Sequence, residues 1–451
     1  MLFLEAKTTQ AIPFFNVLWA ELSDFDISIR YARTTSKNIV RVASVNYLVE
    51  KPHQGYAKSW VAKLLDRAYG ESQRKKRIKV LINPFGGSGS AHKWYLRDIE
   101  PILAAAHCEI DVERTLYQGH AVEIAEKLDV EAYDVIASCS GDGLPHEVFN
   151  GLGKKSDAIR ALSKVAVVQL PCGSGNAMSW NLNGTDSTSM AALCLVKGIR
   201  TPLDLTSITQ GDKRTLSFLS QSVGVVAEVD LGTEHLRWMG PARFTYGFFM
   251  RVLRKTVYPC DLAVKIDIPT KGAIREHYRK EQNNHTPSEE RRGDQSLSNQ
   301  AQGLPPLTYG TISLPMPKEF TSIPSNKLGN FYSGNMALMA PGANFFPATL
   351  PSDGYLDLVT INGDISRRSA IKCFLAVENG RFFDMPDVNY RKISGYRIIP
   401  HGTKGYISID GERVPFEGFQ AEVHRGLGTV LSRSGHLYEA SGVVSRVGTG
   451  T

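Results

Sequence analysis

Cys-x-x-Cys pairs, long apolar runs and a strong excess of one charge are all missing from this chain of 451 residues. The six cysteines form no Cys-x-x-Cys pair and most lie inside apolar runs, where they read as small core residues of a reducing compartment. Neither a disulfide framework nor a cysteine-built metal site is expected. No apolar stretch reaches the ~18 residues that a membrane-spanning helix needs, and Met1 to Asn16 lacks the basic-then-apolar order of a signal peptide. Any membrane contact is therefore expected to be peripheral, from the cytoplasmic side of intracellular membranes. The formal charge of +7 is spread along the chain rather than clustered, so nucleic-acid binding is not expected, while a basic face toward anionic lipid or phosphate remains open. Oligomeric state leaves no trace in the sequence.

What is present is an ordinary globular composition, 42% hydrophobic and 22% charged, over a length that suits two or three domains. From Arg77 short branched-apolar runs alternate with helical stretches: Ile78–Asn83, Glu109–Thr115, Asp134–Ser140 and Lys164–Leu170 are the candidate strands, with helices near Ala91–Ala106 and His120–Lys127. After about Thr201 the pattern becomes alternating strands, including "RTLSFLSQSVGVVAEVDL", "GNFYSGNMALM" and "GYISIDGERV". The expected fold class is α/β + β, an N-terminal parallel-sheet α/β domain followed by an antiparallel β-sandwich. The expected division is an accessory segment over 1–75, the α/β domain over 76–200, the sandwich over 201–435 and a tail over 436–451. The polar stretch 275–306 is expected to be a disordered insertion.

Ligands of parallel sheets bind where strands end, and here three strands end in glycine-rich loops: "NPFGGSGSA", "SGDGLPHE" and "LPCGSGNA". In the first, Gly86, Gly87 and Gly89 remove side chains that would keep an anion from the backbone N–H groups, a phosphate-cradling pattern. It has neither the Gly-Lys-Ser/Thr ending of a Walker A loop nor the spacing of a dinucleotide fold. In the second loop Asp142 lies between two glycines; that tripeptide is a common tight turn, and beside two phosphate cradles it is also a candidate general base.

The ordered set NPxGGxGxA (Asn83 to Ala91), SGDGxxHEVxNGL (Ser140 to Leu152) and LPxGSGNA (Leu170 to Ala177) resembles the catalytic domain of the diacylglycerol and sphingosine kinase superfamily. Two further stretches, "VAEVDLGTEHLRWMGPARFTYG" (Val226 to Gly247) and "ISIDGERV" (Ile407 to Val414), are similar to sphingosine and long-chain-base kinases, the fungal ones above all. The resemblance implies ATP phosphates, with Mg²⁺, over Asn83, Phe85, Gly86, Gly87, Ser88 and Gly89, the cleft continuing through Thr115, Ser140, Gly141 and Gly143. It implies phosphate contacts from Arg237 and Arg243, a carboxylate near the nucleotide at Glu412, and the general base at Asp142. It implies that the α/β domain is nucleotide-binding and that the β-sandwich is lipid-binding and holds the lipid pocket, with a sphingoid-base head group at Asp230 and Ser220. Phe85 departs from the pattern: mammalian relatives carry arginine there, so one phosphate contact is missing or comes from Lys93.

The segment "RFTYGFFMRVLRKTVYP" (Arg243 to Pro259) interleaves aromatics with basic residues, either a core helix with a basic outer face or a wall for an acyl tail, and Phe345 and Phe346 lie in a loop suited to cap such a pocket. The alternative acceptor is diacylglycerol or ceramide; Asp230 discriminates, because a neutral lipid offers nothing to a desolvated carboxylate. A catalytically idle binding module would carry a damaged motif, and an NAD kinase would lack the late Asp-Gly-Glu.

Overall fold

The computed structural model describes residues 11–232, 246–247, 250, 255–283 and 303–443. Four parallel strands form in the order Glu109–Arg114, Arg77–Ile82, Val135–Ser140, Ala166–Pro171. The two inner strands that read as unbroken apolar runs, Val135–Ser140 and Ala166–Pro171, are buried throughout, as a sheet covered on both faces requires. The edge strand is kept from further pairing by Glu109, Asp111 and Glu113, of which the latter two hold Lys79 at 2.9 and 2.7 Å. In register, Ile82 lies opposite Cys139 and Cys139 opposite Leu170, so the strands end level and their glycine loops emerge side by side. The helix expected over Ala91–Ala106 forms with a wide turn at Tyr95–Ile99. Pro101 lacks the N–H that would bond the carbonyl four residues back, which opens the helix there.

The antiparallel strands are fused to this sheet rather than set apart from it. Phe419–Ser432 pairs in parallel with Ala166–Pro171 through Val430 and Val167, and antiparallel with both Ile199–Gln210 and Asn389–Pro400. One fifteen-stranded sheet results. Along one edge Asn389–Pro400 meets Leu356–Asn362 first and Phe419–Ser432 second, so the strands wrap a core of their own built on Val264, Phe331, Leu358, Tyr396, Ile407 and Phe419.

The stretch read as one long strand up to Leu231 divides into Lys213–Ser217, Ser220–Gly224 and a helix, Val225–Gly232. Gly224 makes the corner at φ 102°, where a β-carbon would lie 2.6 Å from the carbonyl of Gly329, and Asn330 Oδ1 accepts from the Val226 amide at 3.1 Å. Asp230 is thereby a helical residue. The stretch 275–306 also differs from its disordered reading: Lys271–Asn283 is a helix that buries Ile274 and Tyr278, four residues apart on one face, and Leu304 packs into the core at the other end. Residues 284–302 lie outside those described.

Strands Val17–Leu22, Asp26–Ser36 and Ile39–Leu48 form a separate antiparallel sheet, backed by the helix Gln54–Tyr69. Their apolar faces join one core with Ile99, Leu103, Leu193 and Val196 of the α/β layer. Tyr69 Oη donates to the Leu18 carbonyl at 2.5 Å.

Candidate active site

Three loops interlock backbone to backbone. A methyl group on Gly87 would lie 2.8 Å from the Cys172 carbonyl, one on Gly141 would lie 2.7 Å from the Gly175 carbonyl, and one on Gly173 would overlap the Gly141 amide. These glycines are needed for loop against loop, before any ligand arrives. Asn83 Oδ1 shapes the first loop by accepting from the Phe85 and Gly86 amides at 2.9 and 3.1 Å. That leaves the amides of Gly87 and Ser88 without an acceptor among the described residues, on exposed backbone suited to an anion. Phe85 stands out at the loop tip, 75% exposed, and Lys93 is also exposed. Thr115 and Ser140 are buried and their hydroxyls turn inward, Ser140 Oγ donating to the Gly141 carbonyl at 2.7 Å and Thr115 Oγ1 to the Ile82 carbonyl at 3.4 Å. Both shape the floor of the cleft.

Asp142 begins the helix Gly143–Gly153 and aims its carboxylate at the start of the helix Ala177–Asn183. Oδ2 accepts from the Ala177 amide at 2.9 Å; Oδ1 accepts from the Met178 amide at 2.9 Å and from Gln169 Nε2 at 3.2 Å. Burial raises its pKa above the ordinary carboxylate value; the Met178 and Ala177 amides and Gln169 pull the other way, and the charge of Asp410 adds to the rise. Three of about four acceptor positions are filled, leaving room for one more donor.

Asp410 and Gly411 form the two-residue turn between Ile407–Ile409 and Glu412–Val414, both at positive φ, 52° and 84°. The buried Asp410 carboxylate accepts from Ser217 Oγ at 2.6 Å and from the amides of Phe218, Leu219 and Ser220 at 3.0, 2.9 and 2.9 Å. It also meets His146 Nδ1 at 2.8 Å, one helical turn beyond Asp142. Burial lowers the His146 pKa, but the hydrogen bond and charge of Asp410 outweigh it and the net shift is upward. The same hairpin brings Glu412 over the helix start, 3.0 Å from where a Gly143 methyl would be, beside Glu147, which caps the helix His120–Lys127 through the Gly119 and Ala121 amides.

On the far side of Asp410, Ser220, whose amide Asp410 binds, lies on the strand paired with that of the buried Tyr332. The tyrosine pKa is raised by burial, lowered in part by Ser220, and raised further by the charges of Asp230 and Asp410. Ser220 and Asp230 thus both act on the Tyr332 hydroxyl. Behind it Tyr332 packs edge-on against Phe345 and Phe346, with centroids 5.3 and 4.8 Å apart, and Phe345 against Phe382 at 5.5 Å. Phe346 is fully buried, a wall rather than a cap. Arg237, Arg243 and most of the 243–259 segment lie outside the described residues. His146, Gln169, Tyr332 and Asp410 were not singled out from sequence; the only signal was position, His146 four residues after Asp142 and Asp410 inside Asp-Gly-Glu.

Residues 77–208 match the diacylglycerol kinase catalytic domain, and residues 2–70 match a domain of unknown function, DUF7493. The fold agrees: a putative diacylglycerol kinase from Bacillus anthracis str. Sterne superposes with a TM-score of 0.54 at 17% identity, covering 80% of this chain and 97% of that one. With the curated relatives that follow, the catalytic-domain match defines a lipid kinase of that superfamily. More narrowly, the chain belongs to the sphingoid long-chain-base kinase family. Sphingoid long chain base kinase 5 of Saccharomyces cerevisiae is 35% identical, the match covering 92% of this chain and 68% of the relative. Sphingoid long chain base kinase 4 of Schizosaccharomyces pombe is 34% identical over 93% and 88%, and human sphingosine kinase 1 is 30% identical over 79% and 90%.

Proposed function

We propose that the chain transfers the γ-phosphoryl group of ATP to the primary hydroxyl of a sphingoid long-chain base. The observation that carries this reading is the position of Asp410, whose neighbourhood joins Asp142 and the glycine loops on one side to Ser220, Tyr332 and Asp230 on the other. Phosphoryl transfer needs an in-line hydroxyl, neutralised charge on the transferring group and a proton acceptor. Asp142 takes the hydroxyl proton as the acceptor oxygen forms its bond to phosphorus and the bond to the ADP oxygen breaks; its raised pKa suits it to that task. The exposed Gly87 and Ser88 amides receive phosphate oxygens. Glu412, whose carboxylate has no hydrogen-bond partner among the described residues, would be the side chain to meet Mg²⁺ held on the phosphates. When bound, the ion neutralises charge on the transferring group.

Asp230 receives the ammonium of the base, which is two carbons from the reacting hydroxyl, and so aims that hydroxyl at Asp142. Tyr332, Phe345 and Phe346 start the apolar wall for the tail. No helix among the described residues is long and apolar enough to cross a membrane, and we place the enzyme peripherally, at the cytoplasmic face of intracellular membranes. A lipid panel with labelled ATP tests the assignment: sphingoid bases are phosphorylated and diacylglycerol and ceramide are not. Asp230→Asn raises KM for the free base by about one to two decades, the worth of a charge-assisted hydrogen bond, and leaves KM for ATP unchanged. If wild type and variant treat free and N-acetylated base alike, Asp230 does not read the amine.

A further inference from the structure

The exposed large apolar side chains of the described residues concentrate in the N-terminal sheet and its helix, and three of them meet at one end. The turn between Val17–Leu22 and Asp26–Ser36 carries Phe25, 63% exposed; Leu48, 90% exposed, closes the strand Ile39–Leu48; Tyr56, 76% exposed, stands in the first turn of the helix Gln54–Tyr69. Two hydrogen bonds bring them together: the Val49 amide donates to the Phe25 carbonyl at 2.7 Å, and Gln54 Nε2 donates to the Asp24 carbonyl at 2.7 Å. The other end of the sheet is the anchored one, where the Val40 amide bonds Ser189 Oγ at 3.1 Å and Arg41 meets Asp98 at 2.9 Å. Midway along, Arg30 also meets His107 at 3.0 Å, and four residues of strand lead from its register partner Ser44 to Leu48, about 13 Å at the usual rise, so the apolar end projects beyond its last anchor.

Tyr56 continues into a stripe. Trp60, Lys63 and Arg67 follow at four, seven and eleven residues, all exposed and on the face opposite the buried Val61, Leu65 and Ala68. Lys51 and Lys58 are exposed beside the tip, and none of these four basic residues has an ion-pair partner among the described residues, Asp66 being taken by Arg74. Aromatic residues at a projecting tip with basic residues beside them is the arrangement that suits the headgroup zone of a negatively charged bilayer, where aromatic rings and aliphatic side chains insert shallowly and cations meet lipid phosphates. We propose that the Phe25–Leu48–Tyr56 tip and its basic stripe dock the enzyme on an anionic membrane surface. The inference deepens the proposed function, since it rests on an acceptor that resides in a bilayer. A second copy of the chain is a poorer occupant, because the exposed like charge of Lys51, Lys58, Lys63 and Arg67 would face itself across a two-fold interface.

The test is sedimentation of the full chain with vesicles of equal parts phosphatidylcholine and phosphatidylserine, and with phosphatidylcholine alone, without ATP or base. The wild type binds the mixed vesicles, binds the neutral ones at least about ten-fold less, and is released by salt. Phe25→Ser, Leu48→Ser and Tyr56→Ser combined lower binding to mixed vesicles at least about ten-fold, with an unchanged melt and unchanged activity on detergent-dispersed base. Because these positions are exposed, each single change is a second route should the triple variant fold poorly. Undiminished binding of the variants, or a wild-type dimer that they convert to monomer, overturns the proposal. Failure of the base assignment would leave the vesicle result standing, so the two outcomes are distinct.

Discussion

Asp142 carries two duties that its tripeptide context does not separate. Its carboxylate ties the first amides of the helix Ala177–Asn183, and under the proposed mechanism it also takes the proton of the acceptor hydroxyl. Asp142→Asn should therefore lower turnover at least about 10²-fold, the lower range of general-base contributions. It should also cost about 1–2 kcal/mol of stability, because one oxygen becomes an NH₂ that faces N–H donors. Steady-state kinetics beside a denaturant melt reads both. A variant that keeps more than a tenth of the activity while losing stability would leave only the structural duty. His146 is the second residue whose chemistry is set by its neighbour. Its folded pKa is raised, so the stabilisation from the charged pair with Asp410 is complete below about pH 6.5, the unperturbed histidine value, and is lost as pH rises through the higher folded value. The gap in melting temperature between wild type and His146→Gln should be widest in mild acid and narrow toward alkaline pH; a gap independent of pH would show that the charge contributes nothing. Asp142 was legible in the sequence because glycines flank it. Asp410 as the partner of His146 was not, since 264 positions separate them and only the hairpin turn brings them together.

At the scale of elements, the glycine loops serve each other first. Reading the first loop from sequence alone, one expects a side chain at Gly87 to obstruct phosphate; in the structure it also strikes the Cys172 carbonyl, at a φ of 58° that branched residues avoid. Gly87→Val is thus expected to weaken ATP binding and to lower the melting temperature together, while KM for the lipid stays within about two-fold, since the loop does not touch the Ser220–Tyr332–Asp230 group. Calorimetric titration with ATP and a thermal melt measure the pair, and a loss of ATP affinity with an unchanged melt would mean that the loops do not depend on each other for packing. The inner parallel strands were readable to within a residue or two because burial on both faces leaves nearly continuous apolar runs, and the edge strand Glu109–Arg114 because its apolar residues alternate with charged ones. The helix Val225–Gly232 was not: Val225, Val226, Ala227 and Val229 extend the preceding strand's apolar pattern, and the corner depends on how closely Gly224 approaches Gly329, a distance no local pattern contains. The helix Lys271–Asn283 was obscured by its polarity, with only Ile274 and Tyr278 reaching the core.

Across the whole molecule, the antiparallel half is pinned by an ionic group whose centre, Lys392 and Asp357, is fully buried. Lys392 Nζ lies 2.8 Å from Asp353 and 3.0 Å from Asp357; His277 meets Asp353 at 3.0 Å, and Tyr390 donates to Asp357. Lys392→Met would leave two carboxylates facing each other in the core, and about 3–5 kcal/mol of stability should be lost, as when one member of a buried pair is removed. KM for ATP and for lipid should be unchanged for the fraction that remains folded. A loss below about 1 kcal/mol in a urea melt would mean that the carboxylates reach solvent or take up protons at little cost. The two halves were legible as α/β and antiparallel, but not their fusion, because a late apolar run reads the same whether it closes its own sheet or joins another. The strand Phe419–Ser432 makes that fusion, with Val430 against Val167 and Thr429 against Pro202. During synthesis the sheet that carries every glycine loop must therefore wait, with Val167 lacking its neighbour, until more than two hundred further residues have left the ribosome. Such long-range closure is slow and leaves a strand edge open in the meantime, so the nascent chain is a natural client for chaperones, and the half that carries the glycine loops is expected not to fold as a cassette moved into another protein.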